Sequence, residues 1–183
     1  AEVYHNSFDI SQTIKNMPAG LYELSCKAFE RDEDGKVDAE LYAKLAGDKE
    51  QSVKVMEIKE DLAPVEIYHY GQETPDGNNS RDMSGDGTGW APDGMSSANW
   101  HFAAGYYKNK FNIVVTEAGD ITVGVRTTSK ADWVLFDDFK LVYLGGGAAV
   151  YEGAITDLIA KGDKAIEDGY SYNDTQICGA SQE

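Results

Sequence analysis

Leu21-Tyr22-Glu23-Leu24-Ser25-Cys26-Lys27-Ala28-Phe29 decides the fold class. A period of two places Tyr22, Leu24, Cys26 and Ala28 on one face and Glu23, Ser25 and Lys27 on the other, the pattern of a half-buried β-strand. Cys26 is then a small core residue. Upstream, Pro18-Ala19-Gly20 reads as a turn, preceded by a strand with Phe8, Ile10 and Ile14 on one face and Ser7, Asp9, Ser11 and Thr13 on the other. Downstream, Asp32 to Gly35 turns the chain. Ala39, Leu41, Ala43 and Leu45 make a third inward face, Val53 and Val55 a fourth, and Val65 to Tyr70 a fifth strand.

The pattern then stops. Gly71 to about Ser97 is rich in Gly, Asp, Asn, Ser and Pro, a long loop of the kind that carries function, and a short helix is expected around Ser96 to Ala104. Strands resume at Phe111, Ile113 and Val115, then at Ile121, Val123 and Val125, with Glu117-Ala118-Gly119-Asp120 read as a hairpin turn between them. Trp133 to Tyr143 closes the series. About eight short strands with little helix predict an all-β fold, an antiparallel β-sandwich over residues 1–145. Gly145-Gly146-Gly147 ends it. Tyr151, Ile155, Leu158, Ile159 and Ile166 recur at helical spacing, so residues 146–183 are read as a glycine linker, a short C-terminal amphipathic helix and a polar tail.

Composition narrows the partners. The net charge of -16, from 32 acidic and 16 basic residues, repels phosphate backbones and anionic lipid, so nucleic acid and membrane are poor partners. No run of apolar residues is long enough to span a bilayer. The chain opens on a strand at Val3, which suits a mature secreted protein or a module cut from a larger one. Cys26 and Cys178 leave pairing open, since a buried strand and a polar tail would have to meet. No Gly-x-Ser-x-Gly, His-Glu-x-x-His or phosphate loop occurs, and His5, His69 and His101 are scattered. Acids are too numerous for any carboxylate pair to single itself out for glycoside hydrolysis. The expectation is therefore a non-catalytic protein.

Two segments carry a resemblance. Phe8-Asp9-Ile10-Ser11-Gln12-Thr13-Ile14, followed by Pro18-Ala19-Gly20-Leu21-Tyr22-Glu23-Leu24-Ser25, resembles the opening strands of carbohydrate-binding modules of families four, nine and twenty-two. Asp132-Trp133-Val134-Leu135-Phe136-Asp137-Asp138-Phe139-Lys140-Leu141 is similar to their closing strand. Phe102, Gly105, Tyr106 and Asn109, ahead of Ile121 to Val125, look like such modules in Bacteroidetes extracellular glycan-degrading proteins. The resemblance covers roughly residues 3 to 145 and implies a jelly roll of the galactose-binding-like kind. It also implies an extracellular or cell-surface location and a role in holding an appended enzyme or assembly on a polysaccharide or oligosaccharide, with neighbouring modules as partners. The long loop and the tail depart from it.

Sugar binding needs an aromatic face against the apolar side of a pyranose ring, with polar groups for its hydroxyls. Trp90 lies among glycines in the long loop, beside Asn78, Asn79, Arg81 and Asp82. It either meets a sugar or folds back to pin the loop. Trp100 begins an apolar run with Phe102 and Ala103 and reads more readily as packing, as does Trp133. Tyr68 and Tyr70 share a strand face with Glu66, and Tyr42 lies on a solvent face between Glu40 and Lys44. These tyrosines either line a groove or form cross-strand pairs. By alternation Asp137 faces the core side with Leu135, Phe139, Leu141 and Tyr143, where a carboxylate needs a partner. In the resembling modules an aspartate at this place ligates a structural Ca2+, here with Glu2 as the second ligand. Backbone N–H groups are the other possible partner. The competing reading for the whole chain is a structural, adhesin-like spacer with no sugar site.

Overall fold

The structure, a computed structural model, describes residues 1–31, 38–58, 69–70, 80–82 and 89–167. The described strands are β1 (Glu2–Met17), β2 (Gly20–Arg31), β3 (Glu40–Lys44), β4 (Glu50–Lys54), β5 (Met56–Ile58), β6 (His69–Tyr70), β7 (Ser80–Asp82), β8 (Gly89–Pro92), β9 (Lys108–Val115) and β10 (Gly119–Gly145). The helices are α1 (Met95–Ala103) and α2 (Ala148–Glu167). The fold is mostly antiparallel β-sheet with a short C-terminal helix, as the alternation predicts; β2 with β5 is the parallel exception. One sheet has seven strands and the other is the small ribbon β6-β8-β7.

β10 organises the large sheet. Ile121–Val125 and Trp133–Tyr143, read separately from sequence, belong to a single strand of 27 residues. β1 runs antiparallel along one side of it, from Glu2 opposite Leu135 to Met17 opposite Gly119. On the other side, the first half of β10 carries β3 and then β4, while the second half carries β2, with β9 and β5 beyond. The two branches curl over one core, so the sheet nearly closes into a barrel. At the seam the Gln51 side chain replaces a backbone ladder: its Nε2 donates to the Val114 carbonyl at 3.3 Å, and its Oε1 accepts from the Val114 N–H at 3.3 Å.

Inside lie Tyr22, Leu24, Cys26 and Ala28 of β2, Leu41 and Ala43 of β3, Ile113 and Val115 of β9, and Ile121, Val123, Val125, Val134 and Phe136 of β10. Phe8 and Ile14 of β1 pack against this core, whereas Ile10, on the same edge strand, remains 47% exposed. The Pro18–Gly20 turn is held by the Tyr22 hydroxyl, which donates to the Pro18 carbonyl at 2.6 Å. Gly124 is required by close approach: a Cβ there would meet the Ile10 carbonyl oxygen at 2.6 Å and the Tyr42 ring at 2.9 Å.

Several expectations need correction. Glu117–Asp120 joins β9 to β10, but these strands do not pair with each other. The Asp120 carboxylate instead crosses to β1, accepting from Lys15 Nζ at 2.7 Å and the Asn16 N–H at 3.2 Å. These bonds hold its pKa below the usual carboxylate value. Tyr42 is not on a solvent face. Its ring is buried beneath the Arg126 guanidinium, 4.6 Å from the ring centroid, and its hydroxyl donates to Asp9 Oδ1 at 2.6 Å.

The stretch from Gly71 to Ser97, read as loop, carries β7, β8 and the start of α1 in its described parts. Strands of three and four residues are too short to show a period. The turn at Asp32 to Gly35 and most of the strand expected over Val65 to Tyr70 fall outside the described residues; within that strand, His69 and Tyr70 form β6. The helix expected near Ser96 to Ala104 is α1. It stops at Gly105, whose φ of 94° supplies the left-handed residue that ends helices, with the Gly105 N–H donating to the Phe102 carbonyl at 3.1 Å. No described helix is long and apolar enough to cross a membrane.

Candidate functional site

Two regions flank the middle of β10. The first is an aromatic lobe on the outer face of the sheet. Trp133-Val134-Leu135-Phe136 is apolar throughout because it is buried on both sides: Val134 and Phe136 face the barrel core, Trp133 and Leu135 face the lobe. Phe29 of β2 sits at the lobe's centre, with ring centroids 5.0 Å from Tyr107, 5.0 Å from Trp133 and 5.8 Å from Phe102. Ala91, Ala98 and Ile58 complete the cluster. Asn109 secures the chain where it leaves the lobe. Its buried amide donates to the Ala28 and Tyr107 carbonyls at 2.7 and 2.9 Å and accepts from the Met56 N–H at 2.8 Å.

The lobe gathers residues singled out from sequence. Trp90 is half-buried on β8, the central strand of the ribbon, with Asp82 of β7 and His69 of β6 opposite it. Arg81 is exposed opposite Ala91, and Tyr70 lies opposite Gly89. Trp100 on α1 is half-buried, its ring stacked on Tyr106 with centroids 6.3 Å apart and planes 24° apart. His101 bolts helix to ribbon. It is fully buried, with Nδ1 2.8 Å from the Ser97 carbonyl oxygen and Nε2 3.1 Å from that of Trp90. The Ser97 hydroxyl reaches the Ser80 hydroxyl on β7. At the lobe's edge Arg31 pairs with Asp93 and lies 4.7 Å over the Trp133 ring. Tyr68, Asn78 and Asn79 lie outside the described residues.

The pair expected to hold calcium is arranged otherwise. Asp137 is exposed: it continues the outward face of Trp133 and Leu135, and a bulge with Asp138 at φ 55° shifts the register between Asp137 and Lys140, so that it no longer shares a face with the core-packed Leu141. The core side is taken by Val134 and Phe136, while Asp137 Oδ1 accepts the Asp138 N–H at 2.8 Å. Glu2 accepts from Trp133 Nε1 at 2.8 Å. As placed, the two do not fit a shared calcium site, and among the described residues no three His, Cys, Asp or Glu side chains are grouped to hold a metal. Asp138 lies between Lys27 at 3.2 Å and Lys140 at 3.1 Å; their bonds, Lys140's first, lower its pKa.

The second region is a polar cleft of about 370 Å³, lined by Phe8, Asp9, Asp38, Glu40, Lys54, Arg126, Thr127 and Thr128. Strand register builds it. Asp9 stands opposite Arg126, Arg126 opposite Glu40, and Glu40 opposite Lys54, so one row crosses β1, β10, β3 and β4 with alternating sign. Arg126 donates to Glu40 at 3.1 Å and to both Glu50 oxygens, the Nη1 bond to Oε2 measuring 3.0 Å. Lys54 is 3.0 Å from Glu40 and donates to the Asp38 carbonyl at 3.2 Å. The Asp38 carboxylate accepts the Thr127 hydroxyl, the Thr128 hydroxyl at 2.8 Å and the Thr128 N–H at 3.2 Å. Sequence reasoning missed this cleft. Alternation marks Asp9 as outward on its strand, but no sequence signal gives the register that aligns the row.

Compared with models of known families, with curated proteins and with solved structures, the chain matches none.

Proposed function

We propose that the protein is a non-catalytic carbohydrate-binding module that holds an appended enzyme or surface assembly on a neutral polysaccharide outside the cell. The observation that carries this reading is the lobe: Trp90 on the ribbon, Trp100 on α1 and Tyr106 just beyond that helix are half-buried outside the main core, with the exposed Arg81 on the same ribbon as Trp90. Flat apolar faces held rigidly beside hydrogen-bonding groups are what pyranose rings require. A curled antiparallel sheet with two branches facing one core also suits a sandwich of jelly-roll, galactose-binding-like type. The module would act by raising the local concentration of what it is joined to.

The test is affinity gel electrophoresis against soluble neutral polysaccharides, with calcium and again with chelator. Retardation by one class is expected, and Trp100→Ala should abolish it while the melting temperature stays close to that of the parent. No retardation on any polysaccharide would overturn the reading. The chelator arm reports whether a calcium site built from ligands other than Asp137 and Glu2 is needed.

A structural spacer is the second reading, favoured by α2. Ile155, Leu158, Ile159 and Ile166 are all exposed, an apolar stripe that suits a protein partner such as a neighbouring module. Light scattering of the chain with and without residues 146–183 tests it, self-association lost with the helix being its signature.

A further inference from the structure

We infer that the polar cleft is a second saccharide subsite, so that the module grips the interior of a glycan chain through two contacts along the middle of β10. This rests on the carbohydrate reading above. The two regions are physically joined. Glu30 of β2 is fully buried and accepts the Ala39 N–H at 2.9 Å, next to the cleft wall at Asp38. Its neighbours Phe29 and Arg31 belong to the lobe and its edge. On β10, Thr128 lines the cleft and Trp133 underlies the lobe, five residues apart. A register shift there sets Thr127 opposite Phe8 and Trp133 opposite Tyr4, so the gap matches four residues of β1, about 13 Å at roughly 3.3 Å each, longer than a monosaccharide and within reach of an oligosaccharide.

The cleft's free valences suit an uncharged polyol. Asp9 Oδ1 is taken by Tyr42, leaving Oδ2 as an acceptor among the described residues. Lys54 gives two of its three protons to Glu40 and the Asp38 carbonyl, leaving one donor. An acceptor and a donor in one pocket match neighbouring sugar hydroxyls, and Phe8, stacked on Phe136 with centroids 5.7 Å apart, offers an apolar wall. The four charges of the row cancel, and Asp38 with Glu50 leaves the site net negative, which disfavours an acidic sugar and leaves an uncharged one as the saccharide that fits. The volume lies in the range of small-molecule sites.

The experiment uses the full chain and the polysaccharide that retards it, partially hydrolysed and fractionated from disaccharide to hexasaccharide, with titration calorimetry at each length. Affinity is expected to rise with length in the parent. In Asp9→Asn, whose amide oxygen still accepts the Tyr42 hydroxyl, and in Lys54→Ala, whose side chain is 54% exposed, the rise should flatten. The hexasaccharide should lose roughly tenfold and the disaccharide nothing. Unchanged length profiles in both variants would overturn the inference while leaving the carbohydrate reading standing. Equal loss at every length would overturn it too, by making the cleft the sole site. If no polysaccharide retards the parent, the carbohydrate reading itself falls and the subsite with it.

Discussion

The aromatic lobe and the charged row meet β10 at neighbouring stretches, at Trp133 to Leu135 and at Arg126, and are held together by opposite means. The lobe is a cluster of buried rings around Phe29, joined to the sheet through Trp133 and Leu135. The row is a chain of ion pairs whose best-connected member, Arg126, still has 27% of its side chain exposed. Apolar burial is non-directional and strong per residue, whereas partly exposed ion pairs contribute little stability and set geometry instead. The lobe should therefore dominate the energetics of this end of the molecule, and the row its specificity.

The largest effect expected is that of Phe102→Ala, which removes a buried ring from the lobe and should cost about 3–5 kcal/mol. Urea denaturation measures it, and the loss should hardly change with salt. A loss below about 1 kcal/mol would break the contrast, showing that the lobe is not held by burial. Gly124→Ala comes next. The new Cβ would press on the Ile10 carbonyl and the Tyr42 ring beneath Arg126, at a cost of about 1–3 kcal/mol in the same assay. Arg126→Met should be smaller, about 0–1 kcal/mol, and should shrink further at high salt. A salt-independent loss of several kcal/mol would put the row on the same footing as the lobe.

Cys26 makes an internal control at the barrel core, where its ionisation has no effect at neutral pH. Burial pushes its thiol up to about 12 from an ordinary 9.0. The folded state thus keeps a proton that the unfolded chain releases, so this contribution is complete below about pH 9 and declines as pH rises toward 12. Cys26→Ala should flatten that alkaline decline in a pH series of urea midpoints, and an unaltered decline would remove the thiol as its cause.

Much of the barrel was legible because period two survives wherever one face is buried. Tyr22, Leu24, Cys26 and Ala28 are all interior as expected, as are Ile113, Val115, Ile121, Val123 and Val125. The reading failed where a single residue changed phase. The bulge at Asp138 parts Asp137, in phase with the outward Leu135, from Leu141 on the core side, and nothing in Asp137-Asp138 announces a bulge until one asks which residue types tolerate positive φ. Tyr42 was misplaced for a different reason: its outward face is sealed by Arg126 and Asp9, which lie far along the chain. In the lobe, Trp90 stood out because a large aromatic among glycines has few local partners, and Arg81 as a polar group beside it, whereas Trp100 read more readily as packing. The cleft did not, since Asp9, Arg126, Glu40 and Lys54 are ordinary outward residues until four strands align them.

The long pairing of β1 with β10 has a mechanical consequence. The strands are antiparallel, with Glu2 opposite Leu135 in the later half of β10, toward Gly145. A load drawn between Glu2 and Gly145 would therefore open the ribbon like a zip, pair after pair from that end, rather than shear all its bonds at once. Resistance to drag would be low and nearly constant along the ribbon, and β1 would come away while the strands on the opposite side of β10 kept their pairing.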